Sequence, residues 1–492
     1  MLKQKIVEEE MNELSDHLET NIKTLQEIFP IGKSFDLITR NLMLGNAKAF
    51  WMGINGFCKN DLLQQIFSDL QNPLYMQNPD IKNIEIYMNS KIGYSQAELS
   101  SDWDNIIKNI LSGPSVLLID GFKDAIIIDT RTYPARGITE PDIEKVTRGA
   151  KDGFVETLVF NTALIRRRIR NPKLTFEITT VGTDSKTDVA IGYIGDKTDI
   201  RLLHEIKEKL KEIKATSLTM GSKSLEELLV KKSIFHPLPS ILFTERPDVT
   251  CSYLLEGHIV IIVDNSPSAL ILPCTIFQFT QSPEDYYKSP AVGNYLRAIR
   301  FVCIFLSLFS LPIFLLLGAY IPNLPPQWDL IKTEQIGPVK LFIYVLFIEF
   351  GLDLFKYSSA HSSSGFSNSL AIVGGLIISD VAIQLKWANL EAIFYGSSTM
   401  LATLSLASIE FGEGLRIYRI FLVLSTGFFG LWGFIIGTIL MICSVITTPT
   451  FAKKSYFWPL YPFNLEALKT LLFRYPTAKA QPSKIWEDKA SH

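Results

Sequence analysis

The sequence predicts an α/β cytoplasmic region of two related modules, followed by an α-helical transmembrane bundle of about four spans plus an interfacial or re-entrant helix. Two observations favour this fold class. Up to about residue 290 the chain is rich in Lys, Glu and Asp, whereas beyond Arg300 long runs carry almost no charge. In addition, a strand–turn–strand pattern occurs twice in the charged part. A water-facing portion and a membrane portion are therefore expected.

The composition argues against several classes of function. The formal net charge of the 492 residues is -2, and no basic stripe with interleaved aromatic side chains occurs, so we expect no nucleic-acid partner. The five cysteines have no CxxC spacing and the six histidines no metal-ligand spacing, so we expect no metal and no cofactor. No Gly-rich phosphate loop, GxSxG elbow or HExxH motif occurs, so we expect no enzyme activity and no catalytic residues.

Two hairpin patterns define the predicted modules. Leu117–Thr130 places an Asp-Gly pair between two β-rich runs, which is a strong hairpin signal. Ile259–Pro273 repeats the plan of apolar run, Asp, turn residues and apolar run. We expect an N-terminal cytoplasmic α/β module over 1–140 and a second over 141–293, related by an old duplication. Asp120 faintly resembles an aspartyl-phosphate loop, but aspartates in hairpin turns are usually structural.

Four apolar runs are predicted to cross the membrane. They are Phe301–Ile321, Phe366–Gln384, Ala392–Ile409 and Ile420–Phe451. They define a transmembrane helical domain over 294–452 and a cytoplasmic tail over 453–492. The last run is longer than one span needs, so we expect it to be tilted or to project beyond the bilayer.

Flanking charge sets the expected orientation. Arg297 and Arg300 precede the first run, and Lys453 and Lys454 follow the last, so both ends are expected in the cytoplasm. The acidic, helix-like N-terminus lacks the apolar core and cleavage site of a signal peptide, so we expect it to stay on the side where it is made. An even number of crossings agrees with both inferences.

One further apolar segment cannot be assigned from its sequence as a membrane span. Val339–Phe355 carries Glu349 and Asp353, which lie four residues apart on one helical face. A lipid-facing pair of carboxylates is costly, so the helix either lies at the interface, re-enters, or faces protein; a true span is the alternative.

Glycines recur in the last apolar run, at Gly427, Gly430, Gly433 and Gly437. Spacings of three and four residues keep most of them near one stripe, which lets helix backbones approach closely. We expect the stripe to serve helix packing, with a hinge as the alternative.

Several strings together resemble the A subunit of GerA-type spore germination receptors. They are Gly149 and Gly153–Glu156, Asn161 with Leu164–Arg168, Thr244–Asp248, Leu255–Gly257 with Val263 and Asp264, Gln281–Tyr287, Ser369–Gly375, and Trp432–Phe434. Singly each string is weak, but together they run from about residue 110 to 460. The loop Lys332–Pro338 departs from the usual pattern, and the ending Tyr456–Asn464 with Arg474–Pro476 points to one branch of the family.

The resemblance implies a multi-pass protein of the spore inner membrane that acts in germination. It implies a homo-oligomer, with a pentamer expected, that works with other spore germination membrane proteins and releases monovalent cations. Alternatives are a non-conducting membrane scaffold, a nutrient germinant receptor A subunit or, less favoured because no inverted repeat occurs, a secondary transporter.

A pore can be derived from one predicted helix. Leu370, Val373, Ile377 and Asp380 fall on one face, so copies around an axis would supply an apolar constriction and an acidic ring. Asp380 at a helix end touching headgroups or a neighbour is the alternative. Glu349 and Asp353 are candidates for a second acidic ring.

Two charged clusters are candidates for subunit contacts. Arg166, Arg167 and Arg168 end a predicted amphipathic helix and are suited to acidic groups of a partner subunit or to lipid phosphate. A solvated helix end is the alternative. Glu245, Arg246 and Asp248 are suited to intersubunit ion pairs, although turn packing explains them equally well.

Overall fold

A computed structural model of the chain describes residues 13–58, 60–71, 83–92, 96–131, 144, 146–230, 235–320, 337–360, 383–384, 389–451 and 455–474. The chain divides into two compact units. The first, called here the α/β unit, runs to Leu229 and includes Phe243–Leu272. The second, the helical unit, comprises Val230–Leu242 and Pro273–Gln481.

Helices and strands alternate in the described part of the α/β unit. In chain order they are α1 (Leu18–Ile28), β1 (Leu37–Leu44), β2 (Ala47–Ile54), α2 (Asn60–Leu70), α3 (Ile84–Lys91), β3 (Ala97–Ser100), α4 (Trp103–Ser112), β4 (Ser115–Ile119), β5 (Ala125–Ile128), α5 (Leu158–Arg168), β6 (Leu174–Val181), β7 (Thr187–Ile194), α6 (Ile200–Glu212), α7 (Ser222–Leu229), β8 (Leu242–Thr244), α8 (Pro247–Leu255), β9 (Ile259–Val263) and β10 (Ala269–Leu272).

The strands form two five-stranded sheets with the same topology. The orders are β1-β2-β4-β5-β3 and β6-β7-β9-β10-β8, so each strand of the first sheet has a counterpart in the second. Registers match as well: Ala49 faces Ile119 across β2 and β4, and Val189 faces Val263 across β7 and β9, both antiparallel. The prediction of two related modules built around similar hairpins is confirmed.

The repeat extends to single hydrogen bonds. In the first module Asp120 Oδ1 accepts from the backbone N–H of Leu18, the first residue of α1, at 3.0 Å. In the second module Asp264 Oδ1 accepts from the N–H of Leu158, the first residue of α5, at 3.1 Å. The first N–H groups of a helix have no partner within the helix, so each hairpin aspartate satisfies one of them. Asp120 therefore has a structural role in the turn.

Two adjacent strands of each sheet are fully buried, and this burial explains why their sequences are apolar. Every residue of β4, β5, β9 and β10 is buried. In the first module α1 and α4 contribute to the core on one face of the sheet, and α2 and α3 to the core on the other. Because both faces of these strands are covered, they read as unbroken apolar runs instead of alternating ones.

The described part of the helical unit is built from one short 3₁₀ turn and six helices. They are Gln278–Thr280 (3₁₀), α9 (Pro283–Tyr287), α10 (Pro290–Tyr320), α11 (Pro338–Ala360), α12 (Leu390–Leu404), α13 (Ile409–Thr447) and α14 (Leu465–Leu472). Apolar residues of α10, α11, α12 and α13 share one core. Among the described residues, Pro290–Ala319 and Ile409–Thr447 are long and apolar enough to cross a membrane. A count of four spans stays a prediction.

The predicted apolar runs differ from the observed helices in two places. The run Ala392–Ile409 is interrupted, because α12 ends at Leu404 and the hydroxyl of Ser408 caps a new helix by accepting from Phe411 N–H at 3.3 Å. The run Phe366–Gln384 lies almost wholly outside the described residues. The ambiguous segment Val339–Phe355 lies within the continuous helix α11.

The long helix α13 folds back on itself. Gly430 has φ 60° and ψ -135°, a backbone conformation that favours glycine. Tyr418 and Ser444 are 26 residues apart, yet their hydroxyls are 2.7 Å apart. A straight helix would separate them by roughly 39 Å. The expectation that Ile420–Phe451 forms one span, tilted or projecting beyond the bilayer, is therefore wrong, because the run up to Thr447 belongs to a helical hairpin with its turn at Gly430.

The glycine stripe serves both of its expected roles. Gly433 and Gly437 of the second arm of α13 lie against Ser425 of the first arm, and a Cβ on Gly437 would be 2.6 Å from Ser425 Oγ. Close packing of the two arms therefore requires small residues, and Gly430 supplies the turn.

Candidate functional site: a charged ladder between apolar helices

Three ion pairs connect α11 with the first arm of α13. They are Glu349–Arg419, Asp353–Arg416 and Lys356–Glu413. From one pair to the next the residue number increases on α11 and decreases on α13, so the two helices run antiparallel. We call these six residues the charged ladder.

Helical spacing explains why the ladder forms. Steps of three and four residues place each helix's three charges on one face, so two such faces can meet along their length. Burial decreases along the ladder. The side chains of Glu349 and Arg419 are 5% and 4% exposed, whereas those of Lys356 and Glu413 are 33% and 55% exposed.

Arg419 of α13 binds groups on three other helices. Its Nε and Nη2 donate to the Glu349 carboxylate of α11 at 2.5 and 3.0 Å. Its Nη1 donates to the Ser307 carbonyl of α10 at 2.7 Å and to Thr403 Oγ1 of α12 at 3.4 Å. A buried guanidinium needs such partners, since removing one member of a buried pair leaves an uncompensated charge. Arg419 therefore fixes the relative positions of these helices.

The sequence analysis identified two of the six residues of the charged ladder. Glu349 and Asp353 were singled out as acids in an apolar helix, but Arg416 and Arg419 were missed because they stand at the edge of the next apolar run. A matching spacing of opposite charges in two apolar helices was the available signal. The two carboxylates face protein, as one of the predicted possibilities requires, and whether the helix lies at the interface, re-enters or spans the membrane stays a prediction.

The charged ladder includes Glu349 and Asp353, two of the residues expected to line a pore. Glu349 and Asp353 lie against arginines of the same chain, so their charge is compensated there. Their role as an acidic ring stays a prediction under that constraint. Leu370, Val373, Ile377 and Asp380 lie outside the described residues, and the structure does not test them.

A second buried charge cluster lies at the start of α10. Asp285 is fully buried and accepts from Arg300 at 2.9 Å to each oxygen and from Arg297 at 3.3 Å. Its backbone carbonyl accepts from Arg474 at 2.6 Å. The two arginines that predicted a cytoplasmic end are thus engaged within the chain. The cluster also explains the Gln281–Tyr287 motif, because Ser282 and Asp285 form a capping box at α9.

Arg166 joins the two modules of the α/β unit. Its side chain is 0% exposed, and its guanidinium lies 2.7 Å from the carboxylate of Asp36, which precedes β1. Beside this pair, Ser34 Oγ accepts from Phe176 N–H at 2.8 Å and the Phe35 N–H donates to the Phe176 carbonyl at 3.0 Å. The predicted contact residue therefore holds one module to the other within the chain.

The other predicted contact residues lie nearer the surface. Arg168 pairs with Asp152 at 2.6 Å, and both side chains are about one-quarter exposed. Arg167 is exposed. Their role between subunits stays a prediction that a single chain does not test.

Arg246 and Asp248 form a pair inside the second module. Arg246 is 0% exposed, contacts Asp248 at 2.8 Å and donates to the carbonyls of Glu144 and Ala150 at 3.0 and 2.9 Å. Burial raises the pKa of Glu144 to about 7, although Thr244 Oγ1 and the Glu245 N–H donate to its carboxylate at 2.5 and 3.1 Å. These contacts favour the turn-packing alternative for Glu245, Arg246 and Asp248 without testing an intersubunit role.

Comparisons with known proteins agree with the resemblance. The sequence profile of the Bacillus/Clostridium GerA spore germination protein family matches residues 23–484. The chain is 33% identical to stage V sporulation protein AF of Bacillus subtilis, over 92% of each chain. It is 28% identical to spore germination protein KA of the same organism, over 91% of this chain and 82% of that one. It is also 28% identical to its spore germination protein B1, over 96% and 98%.

A comparison with solved structures finds a domain of a germinant receptor. The crystal structure of the N-terminal domain of the A subunit of the Bacillus megaterium spore germinant receptor GerK3 is 26% identical, covers 53% of this chain and 95% of that one, and has a TM-score of 0.41. The profile match and the identity to stage V sporulation protein AF, each over most of the chain, show that this protein belongs to the GerA family of spore germination proteins.

Proposed function

We propose that this protein is a subunit of a homo-oligomeric cation channel that releases monovalent cations during spore germination. The expected oligomer is a pentamer. It lies in the spore inner membrane as a multi-pass protein with both termini in the cytoplasm, and it works with other spore germination membrane proteins. No catalytic site is part of this proposal.

One observation carries the proposal furthest: the Glu349–Arg419 pair is buried among apolar helices of a germination protein. It compensates the acidic charge of α11 within the chain, so Glu349 is not free to attract a permeating cation. Asp380 is then the acidic candidate for that task. An acidic ring favours cations, and an apolar constriction at Val373 and Ile377 can close a pore by dewetting.

Proteoliposomes loaded with potassium test the proposal. Full-length protein should release potassium when a gradient is applied, Asp380→Asn should reduce the preference for cations over anions, and Val373→Ala should increase leak. Ile439→Ala is the matched control, because Ile439 is exposed on the outer side of α13 and should behave as wild type. Retention of potassium by vesicles that contain correctly folded protein would overturn the proposal.

A receptor subunit is the second candidate. The identities to spore germination proteins KA and B1 favour it. Under this reading potassium release would depend on an added nutrient, whereas the channel proposal needs no nutrient in a purified system. Release that begins only after an amino acid or sugar is added would favour the receptor.

A further inference from the structure

The segment that follows α13 exposes large apolar side chains. Tyr461, Phe463, Leu465 and Phe473 are 60%, 66%, 51% and 53% exposed. We call these four side chains the aromatic collar. In contrast, Leu471 of α14 is 7% exposed and packs into the protein. Leu465 begins α14, Tyr461 and Phe463 precede the helix, and Phe473 follows it. Exposed apolar side chains grouped in this way mark an interaction surface.

The collar is held against the start of α10. Arg297 Nη1 donates to the Leu471 carbonyl at 3.1 Å. Asn294 and Arg474 exchange two hydrogen bonds, at 2.6 and 3.2 Å. The Arg474 guanidinium also donates to the Tyr286 carbonyl at 2.8 Å. With these contacts α14 is a fixed part of the helical unit.

An exposed apolar stripe on α10 begins at the level of the α14 contacts. Its members are Val292, Tyr295, Ile299, Val302 and Phe305, each at least 40% exposed. Spacings of three and four residues place them on one face, while Arg297 and Arg300 turn to the buried side. The exposed face of α10 is therefore apolar from the level of the α14 contacts into the uncharged run of the helix.

The height of this attachment matches the membrane boundary. Arg297, which holds Leu471 of α14, precedes the uncharged run that begins at Phe301 by four residues, which is roughly 6 Å along a helix. The headgroup layer is roughly 5–7 Å thick on each side of the hydrocarbon. Tyr and Trp are enriched at this level in membrane proteins because their rings are apolar and their edges polar.

We infer that the aromatic collar inserts into the boundary between lipid headgroups and acyl chains and anchors α14 beside α10; this rests on the proposed membrane location. The charged residues of α14, Glu466 and Lys469, balance each other. Recognition of the lipid is therefore apolar, and it does not require anionic headgroups.

Fluorescence quenching with single labels tests the inference. Burial raises the pKa of the Cys251 and Cys274 thiols to about 12, so they stay unreactive at neutral pH. The labelling background therefore replaces the more accessible Cys58, Cys303 and Cys443. A polarity-sensitive label is placed at Phe463→Cys, and the full-length protein is reconstituted in phosphatidylcholine vesicles.

Three further labels calibrate depth. Ile439→Cys lies near the middle of the second arm of α13, Ile200→Cys is 73% exposed in the α/β unit, and Glu466→Cys is exposed on α14 itself. Quenchers are a nitroxide at carbon 5 or carbon 12 of the lipid chain, and iodide in the water. We expect carbon-5 nitroxide to quench the Phe463 label at least about twofold more than carbon-12 nitroxide. Adding anionic lipid should leave this ratio unchanged.

Each contrary outcome has a distinct meaning. If iodide quenches the Phe463 label as strongly as the Ile200 label while lipid nitroxides quench the Ile439 label, the collar inference fails and the membrane proposal stands. If neither iodide nor lipid nitroxides reach the Phe463 label, another protein surface covers the collar and the inference fails. If the Ile439 label is also insensitive to lipid nitroxides, the proposed membrane location fails as well.

Discussion

Arg419 of α13 and Glu349 of α11 form the most buried of the three ion pairs of the charged ladder, joined by hydrogen bonds of 2.5 and 3.0 Å. The same guanidinium reaches α10 and α12. Because burial removes both charges from water, the desolvation cost offsets much of their attraction, and the pair fixes the positions of the helices more than it adds net stability. The arrangement of the four helices should therefore depend on it.

Removing one partner of this pair should be severe. Arg419→Ala leaves the Glu349 carboxylate buried and uncompensated, which should destabilise the helical unit by about 3–5 kcal/mol. The double variant Arg419→Met with Glu349→Leu should recover much of the loss. Thermal unfolding of the full-length protein in detergent measures both. Lys356→Ala, on the exposed rung, is the control and should cost less than about 1 kcal/mol.

The Arg166–Asp36 pair predicts a comparable effect in the α/β unit. Arg166→Ala leaves buried Asp36 without its partner and should destabilise the junction of the two modules by about 3–5 kcal/mol. Arg167→Ala changes an exposed neighbour and should stay within about 0.5 kcal/mol of wild type. Denaturant unfolding gives the stability, and light scattering gives the oligomeric state. A change in oligomeric state at unchanged stability would assign Arg166 to a subunit interface instead.

The hairpin in α13 should require glycine at its turn. Gly430→Ala places a side chain where φ is 60° and ψ is -135°, and such strain costs about 1–3 kcal/mol. Gly351→Ala is a matched control, because Gly351 is helical and no atom lies within 4 Å of an added Cβ. The control should be neutral or stabilising by up to about 1 kcal/mol. Equal melting temperatures for the two variants would contradict the hairpin.

Glu144 should make the α/β unit less stable as the pH rises. Burial raises its pKa from 4.5 to about 7 in the folded protein, so the folded state binds the proton more tightly than the unfolded state. The associated stability is fully present below pH 4.5 and is lost as the pH rises through about 7. Glu144→Gln should flatten that part of the stability profile.

The contribution of His258 to stability has the opposite pH dependence and must be distinguished from that of Glu144. Burial lowers its pKa from 6.5 to about 4, so its contribution is present above pH 6.5 and is lost as the pH falls through 4. Because both proteins contain His258, its contribution cancels in the difference between the unfolding free energies of wild type and Glu144→Gln. A difference that does not change between pH 4.5 and 7 would show that the Glu144 carboxyl titrates normally.

The sequence predicted the repeated modules because their signal is local. An Asp between two short apolar runs marks the hairpin wherever it occurs, and Asp120 and Asp264 hold equivalent places. Because both faces of these strands are buried, helices have to pack on each side of the sheet, and the α/β arrangement around the hairpins follows.

The helical unit was less predictable because its determinants are not local. Nothing in an uninterrupted apolar run distinguishes a hinge glycine from a packing glycine, so a hinge was an alternative for the whole stripe and the turn could not be assigned to Gly430. Likewise, Arg416 and Arg419 acquire their meaning only when α11 and α13 lie antiparallel. The segment Val230–Leu242 joins the helical unit for a similar reason, since the Tyr456 hydroxyl donates to the Pro239 carbonyl at 2.7 Å across 217 residues.

Current through a planar bilayer tests the central proposal most directly. Purified full-length protein is added to a bilayer with unequal potassium chloride on its two sides. The proposal predicts a current that varies linearly with driving force, does not saturate with substrate, and reverses near the equilibrium potential of potassium. A folded, membrane-inserted oligomer that leaves the bilayer as resistive as lipid alone would contradict it.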